Sequence, residues 1–517
     1  MDCRELFKDS EIADMRGILA LRAELTPSQP IFRYKRKKEL VTITYGELWS
    51  DIWKLGAYLD KRFPGKGRVA LLSENSYYWI VTYFAAVLTG RVIVPLDRDL
   101  DTPSIEKLLL RCPAEVLICS AACSRAADVL SASGTVGEVV SMDVFPDILQ
   151  GGKAEIPPDR TDPDAVCTIL FTSGTTGEPK GVMLTQRNIT RDVLSGVQRI
   201  WLTGPSVLTL PLHHSLAFTI NVLGACVCGS CAFISSGLRH FLSEMKEHSP
   251  ENLAVVPLYV ETMYSGIWKT AREQGREKSL RRLIAVSNFL RRFGIDVRRK
   301  LFRPVLDQLG GRLRTVLCGG AYLDQKYIDG LDDLGVQILN GYGITECSPL
   351  VTFNPLGSPR AGSVGLPISS CEVRILDGEI CVHGENVMAG YFEDEAATAE
   401  AMRDGWFHTG DLGYLDGDGF LYYTGRKKNL IILSNGENVS AEELELLLSD
   451  IPGIDEVVVM EEDGAITAEI YAQRRDGVEE AVTRLNRTLP PYKRIQKVRF
   501  RETEFERTTT RKIKRRV

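Results

Sequence analysis

The segment Thr172-Ser173-Gly174-Thr175-Thr176-Gly177-Glu178-Pro179-Lys180-Gly181 gathers the residue types that hold a phosphate. Glycines let the backbone curl so that its N–H groups converge, Ser and Thr hydroxyls add donors, and Lys180 adds a positive charge. Gly-Lys-Ser/Thr does not follow at the Walker spacing, so that class of phosphate loop is excluded. A flexible Gly/Ser linker is the competing reading. It leaves unexplained the β-branched apolar run before the segment, and Pro179 and Lys180 within it. A second segment, Asn340-Gly341-Tyr342-Gly343-Ile344-Thr345-Glu346, sets an aromatic ring between two glycines, where it can lie flat against a planar base. Glu346 offers a hard oxygen of the kind Mg2+ takes beside phosphate oxygens; taken alone it is a surface carboxylate. The basic run Arg507-Thr508-Thr509-Thr510-Arg511-Lys512-Ile513-Lys514-Arg515 reads, by itself, as solvated charge.

These segments need a scaffold, and the first 340 residues alternate between strand-like and helix-like patterns. Arg68 to Leu72 and Val92 to Pro95 read as short buried strands, with an apolar helix from Trp79 to Leu88 between them. That order predicts a parallel sheet with helices on its faces. Ala165 to Phe171 reads as the strand leading into the phosphate segment, and Thr185 as the cap of a helix with Ile189, Val193 and Val197 on one face. From Ser369 onward short strands and tight turns take over, as at Asp416-Gly417. Beyond Arg426, a helix from Ser440 to Leu448 and a strand from Val457 to Met460 predict a small α+β domain of about ninety residues.

In their types and order, these segments closely resemble those of the acyl-adenylate-forming superfamily, which includes acyl-CoA synthetases, adenylation domains of peptide synthetases and beetle luciferases. The resemblance runs from Ile43-Thr44-Tyr45-Gly46-Glu47-Leu48 to Lys512. It implies an α/β fold: a large N-terminal domain, 1–427, of mixed, largely parallel sheets with helices and a small β-barrel-like part, and a small mobile α+β domain, 428–517. It implies that Thr172, Ser173, Gly174, Thr175, Thr176 and Lys180 hold the phosphates of ATP. Gly320 and Ala321, after Gly319, would line the adenine pocket. Asn340 would meet the adenine amino group beside Gly341 and Tyr342. Thr345 would donate to the α-phosphate, and Glu346 would hold Mg2+. In Trp406-Phe407-His408-Thr409-Gly410-Asp411 and Gly425-Arg426-Lys427-Lys428, Asp411 and Arg426 would contact ribose and Lys428 would be the hinge. Lys512 would bridge the substrate carboxylate and the α-phosphate, a task suited to a compact charge on a long stem. Gly436, in Ser434-Asn435-Gly436-Glu437-Asn438, would face the thiol channel.

The same resemblance implies a reaction: a carboxylic acid is joined to AMP with release of pyrophosphate, then passed to the thiol of coenzyme A. In Leu210-Pro211-Leu212-His213-His214-Ser215, His214 aligns with a residue that gates acid or thiol, and a structural histidine is the plainer alternative. Peptide-synthetase domains carry an Asp in this segment to pair with an amino group; here there is none, which argues against an amino acid substrate. The pair His213-His214 and Arg511, where glycine is usual, both look like long-chain fatty acid–CoA ligases, so a medium- to long-chain fatty acid is expected and an aryl acid remains open. Two rivals stand beside this reading: a ligase that loads acyl carrier protein, and a non-catalytic lipid- or nucleotide-binding protein on the same fold.

The bulk properties fit a soluble protein of two or more domains: 517 residues, 44% hydrophobic and 25% charged. A net charge of −5 gives no basic field for nucleic acid. Charges at Asp2, Arg4 and Glu5 stand where a signal peptide needs apolar residues, and twelve scattered cysteines suggest reduced thiols, so a cytoplasmic location is expected. Cys226, Cys228 and Cys231 lie in an apolar run with no matching pair at metal-site spacing, which favours buried thiols over a metal site. Ser215 to Leu238 carries no charge, but Gly224, Gly229-Ser230 and Asn221 interrupt it, favouring a buried helix and strand over a membrane span. Arg272 to Arg303 is rich in Arg and Lys; Glu273 and Glu277 among them favour a solvated face over a lipid or phosphate site.

Overall fold

The computed structural model describes Phe7 and residues 12–157, 162–173, 178–433, 438–462, 464–507, 513 and 515; the side chains of Ser173 and Asn438 lie outside the description. The chain packs as two units, residues 1–372 with 383–400, and residues 373–382 with 401–517.

In the first unit the described strands form two large sheets. The seven-stranded sheet runs, edge to edge, through Gly390–Tyr391, Pro179–Thr185, Val166–Ser173, Ile93–Leu96, Val69–Leu72, Val116–Cys119 and Glu138–Ser141. Its pairs from Val166–Ser173 onward are parallel. Val69–Leu72 and Ile93–Leu96 are buried along their whole length, because helices cover both faces of a parallel sheet. The helix between them, Tyr77–Leu88, is apolar all round and almost wholly buried; Ser76 caps it by accepting from Trp79 N–H.

The nine-stranded sheet has a parallel centre: Pro30–Arg36, Ala232–Ile234, Ser206–Leu208, Asn252–Val255, Thr315–Cys318 and Gln337–Gly343. Antiparallel strands close it at both edges, Glu39–Thr44 at one and Leu350–Phe353 with Leu366–Pro367 at the other. Phe241, Val255, Val260, Val316 and Ile338 belong to the core on this sheet.

The charge-free stretch folds as a buried helix and strand. A seven-residue π-helical turn, Ala217–Leu223, runs into the α-helix Gly224–Cys228, and Ala232–Ile234 follows as a strand. Within it, the Thr219 hydroxyl donates to Ser348 O at 3.1 Å. Burial pushes the Cys226 thiol up to about 12, which suits a core residue. Among the described residues, no helix is long and apolar enough to cross a membrane.

In the second unit a half-barrel sheet joins Cys371–Leu376, Glu379–Gly384, Trp406–Leu415, Met402–Arg403 and Leu421–Arg426. The turn at Asp416 is closed by Gly419 N–H donating to Asp416 O at 3.0 Å, with the Asp416 carboxylate taking the Phe420 N–H. Farther along, the strands Glu456–Glu462, Ala465–Tyr471 and Lys497–Arg501 form a separate sheet. The helices Ala441–Ser449 and Val478–Thr488 pack Leu444, Leu448 and Val482 against it. The mixed α/β architecture, with a large sheet-and-helix part and a small α+β part, is the one the sequence predicts. Packing places residues 401–427 with the C-terminal chain, whereas the sequence reading set the boundary between 427 and 428.

Candidate active site

Two adjacent strands and a turn position the first unit's residues that the sequence reading assigns to phosphate. Val166–Ser173 pairs antiparallel with Pro179–Thr185, so Thr172 stands directly opposite Lys180 and Ser173 opposite Pro179. The strand Pro179–Thr185 has no counterpart in the sequence reading, which passed from the loop straight to the helix. Gly174, Thr175 and Thr176 lie outside the described residues.

At the sheet's edge, Gly390–Tyr391 pairs with the same strand, Tyr391 opposite Val182. Lys180, two residues before Val182, is on the same face, and its Nζ lies 4.8 Å from the Tyr391 ring centroid. The Tyr391 hydroxyl donates to Glu346 Oε1 at 2.9 Å. Burial, with the Glu346 charge beside it, pushes the Tyr391 phenol far above its ordinary value, so it stays a proton donor. Lys180, Tyr391 and Glu346 thus form one chain of contacts. Sequence reasoning missed Tyr391: it lies 45 residues from Glu346, outside any motif read from the sequence.

Thr345 and Glu346 sit on a 3-10 turn after Gln337–Gly343. Glu346 is only 8% exposed, so it is not the surface carboxylate of the plainer reading. Met388 N–H donates to Glu346 O at 2.8 Å, tying the turn to the segment that carries Tyr391. The flanking glycines have a packing reason. A Cβ on Gly341 would come within 2.4 Å of Phe353 Cδ2, and one on Gly343 within 2.3 Å of Pro349 O. Leu350–Phe353 therefore closes against Gln337–Gly343 only with glycine there, and Tyr342 between them is buried.

Asn340 pairs with Cys318, the last residue of the neighbouring parallel strand. Gly319, Gly320 and Ala321 therefore leave the sheet beside Asn340 and Gly341, at the carboxyl ends of the strands, where open α/β sheets place their ligands. Gly320 and Ala321 are exposed there. The Asn340 backbone carbonyl is held by Asn354 N–H at 3.1 Å and by Asn354 Nδ2 at 3.0 Å. Its side-chain Oδ1 is buried with no hydrogen-bond partner among the described residues, an acceptor left for an amino group.

His213 and His214 follow a clamp in which Asn75 donates to Leu210 O at 2.7 Å and accepts from Leu212 N–H at 2.9 Å. The two rings lie 4.1 Å apart. Burial and the nearby Arg98 charge hold His213 down to about 4, so it is neutral at physiological pH although Asp97 lies 3.6 Å away. His214 lines a small, partly open pocket with Tyr83, Leu184, Ser215, Phe218 and Thr219, and mostly apolar groups complete the wall.

In the second unit, Asp411 and Arg426 are cross-strand neighbours, with Arg426 Nε 3.0 Å from Asp411 Oδ1. Asp411 is 1% exposed. Glu379, also missed from sequence, braces this pair: Oε1 takes the Gly410 N–H at 2.9 Å, and Oε2 takes Lys427 Nζ at 2.9 Å. Lys428 follows on an exposed 3-10 turn, Lys427–Asn429. Gly436 and Lys512 lie outside the described residues.

The donor set suits a hard divalent cation. One buried carboxylate, oriented by a phenol that cannot ionise, matches the one or two carboxylates Mg2+ takes beside phosphate oxygens and water.

Residues 19–392 match the family model described as AMP-binding enzyme. The chain belongs to that family. It is 32% identical over 437 residues to the long-chain-fatty-acid–CoA ligase FadD15 of Mycobacterium bovis, covering 76% of this chain and 70% of that protein. It is 29% identical over 509 residues to a feruloyl-CoA synthase of Amycolatopsis sp, covering 93% of each. Among solved structures, O-succinylbenzoate coenzyme A synthetase of Bacillus subtilis in complex with ATP and magnesium ion superposes with a TM-score of 0.75 at 23% identity, covering 96% of this chain and 98% of that one.

Proposed function

We propose that this AMP-binding enzyme is an ATP-dependent acid–thiol ligase, which joins a carboxylic acid to AMP and then transfers the acyl group to coenzyme A. The observation that carries the reading is the contact chain Lys180–Tyr391–Glu346. It sets a cation and an oriented hard carboxylate on neighbouring segments, beside Thr172. The names of the curated relatives support the same activity.

A carboxylate is a poor electrophile, and AMP gives it a good leaving group. In the first step a lone pair of the acid's carboxylate forms a bond to the α-phosphorus of ATP, and the bond to pyrophosphate breaks. Negative charge grows on the phosphoryl and departing oxygens, so the protein's task is to place cations and donors there. Lys180, Thr172, Thr345 and the loop residues Ser173, Gly174, Thr175 and Thr176 supply them, and Lys512 bridges the carboxylate and the α-phosphate. Glu346 would hold Mg2+, which would supply positive charge against the phosphates. Asn340, with Gly320, Ala321, Gly341 and Tyr342 around it, takes adenine through its open Oδ1, and Asp411 with Arg426 takes ribose. In the second step the thiol of coenzyme A attacks the acyl carbon and AMP leaves. Residues 428–517 turn about Lys428 between the steps, Lys512 withdraws, and Gly436 comes to line the thiol path.

The acid is a medium- to long-chain fatty acid. The ligase relative's name supports this, and the wall beside His214 is mostly apolar. An aryl acid is the second reading, carried by the feruloyl-CoA synthase relative. Purified protein given ATP, Mg2+ and coenzyme A should release AMP and form matching thioester with octanoate or palmitate and not with acetate. Turnover with benzoate alone would select the aryl reading. AMP without thioester would make acyl carrier protein the acceptor, and no turnover with any acid would favour the non-catalytic rival.

A further inference from the structure

The helix Glu277–Arg291 carries apolar residues on two faces. Its inner face is fixed to the protein: Leu280 is buried, Ile284 packs on the core, Asn288 Nδ2 donates to Asp333 Oδ1 at 2.7 Å, and Arg291 pairs with Asp332 at 2.9 Å. The helix therefore cannot roll to hide its other face. That outer face shows Leu283 at 40%, Val286 at 54% and Phe289 at 57% exposure, and the turn beyond it adds Phe293 at 67% and Ile295 at 52%. Phe289 and Phe293 pack edge to face at 5.2 Å, a paired aromatic tip presented to solvent.

Charge says what covers this face. Between Arg272 and Arg303 there are eleven Arg and Lys against three acids in a chain whose total is −5, and although Asp332 and Asp333 pair with Arg291 and Arg298 there, the positive charge stays in excess. Lys278, Arg282 and Arg292 are exposed on the outer side and make no ion pair among the described residues. The sequence pattern favours a solvated face, but a solvated face has no use for two exposed phenylalanines. Aromatic and aliphatic groups flanked by unpaired cations are the composition of a helix lying in the interface of an anionic bilayer.

We propose that this face docks the enzyme on anionic lipid bilayers, with Phe289 and Phe293 entering the headgroup boundary and Lys278, Arg282 and Arg292 on lipid phosphates. The inference rests on this surface alone and is independent of which acid is used. The test is flotation of the full-length protein with vesicles of pure phosphatidylcholine, or of phosphatidylcholine with about 30% phosphatidylglycerol, near 0.1 M salt. Anionic vesicles should bind it at least about ten-fold more strongly than neutral ones, and high salt should weaken that binding. Replacing both rings, Phe289→Ser with Phe293→Ser, should lower binding about ten-fold, and Arg282→Glu with Arg292→Glu should abolish the anionic preference. The melting temperature of each variant checks that the fold survives. Binding equal for wild type and the Phe variant, or equal on the two vesicle types, would overturn the proposal. So would a dimer in light scattering that the Phe substitutions dissolve, since a second copy would then cover the face.

Discussion

Glu346 and Tyr391 show what one hydrogen bond does at this site. The Tyr391 hydroxyl fixes the carboxylate that would receive the metal, and its ring carries the Lys180 ammonium on the same side. Tyr391→Phe keeps the ring and deletes the donor. It should therefore raise the Mg2+ concentration for half-maximal rate by about ten-fold while ATP affinity in the absence of metal stays close to wild type. Glu346→Gln removes the charge itself and should lower kcat by about a hundred-fold or more. Titrating activity against Mg2+ for both variants checks this; an unchanged Mg2+ requirement in Tyr391→Phe would remove the orienting role. Lys180 and Glu346 were legible in the sequence because each sits among glycines, hydroxyls or an aromatic ring in an order with chemical meaning. Tyr391 and Glu379 were not. Each acts through a contact made by strand pairing with a distant segment, and a sequence does not display its pairings.

The elements divide in the same way. Val69–Leu72 and Ile93–Leu96 stood out because central parallel strands are buried on both faces and read as unbroken apolar runs. Pro179–Thr185 was hidden: it opens with Pro and Lys, holds Gly181, and returns against the strand before it. The helix after it was legible from its cap. Thr185 Oγ1 accepts from Asn188 N–H at 3.1 Å, and Asn188 Oδ1 accepts from Thr185 N–H at 2.9 Å. Asn188 also reaches Glu385 O at 2.8 Å, so the cap holds the segment leading to Tyr391. Thr185→Ala should cost about 1 kcal/mol in denaturant unfolding, and Thr185→Ser should restore most of it. A loss equal for Ala and Ser would mean that the methyl group, not the cap, is what matters.

For the whole molecule, stability should fall on the acid side. His213 is held down to about 4 by burial, against an ordinary value of 6.5. Between those values the unfolded chain binds the proton and the folded chain does not. Stability from this group is therefore complete above pH 6.5 and is lost as pH falls toward 4, by up to about 3 kcal/mol. Denaturant midpoints at pH 7 and pH 5 should differ less in His213→Gln than in wild type; an equal difference would place the acid sensitivity elsewhere. In the proposed reaction the acid itself attacks ATP. Exchange of labelled pyrophosphate into ATP, with acid and Mg2+ present and coenzyme A left out, tests it most directly, because only a reversible adenylate permits the exchange. Exchange should appear with octanoate or palmitate, stop when the acid is withheld, and be lost in Lys512→Ala. Exchange without any acid, or release of ADP and phosphate in its place, would contradict it.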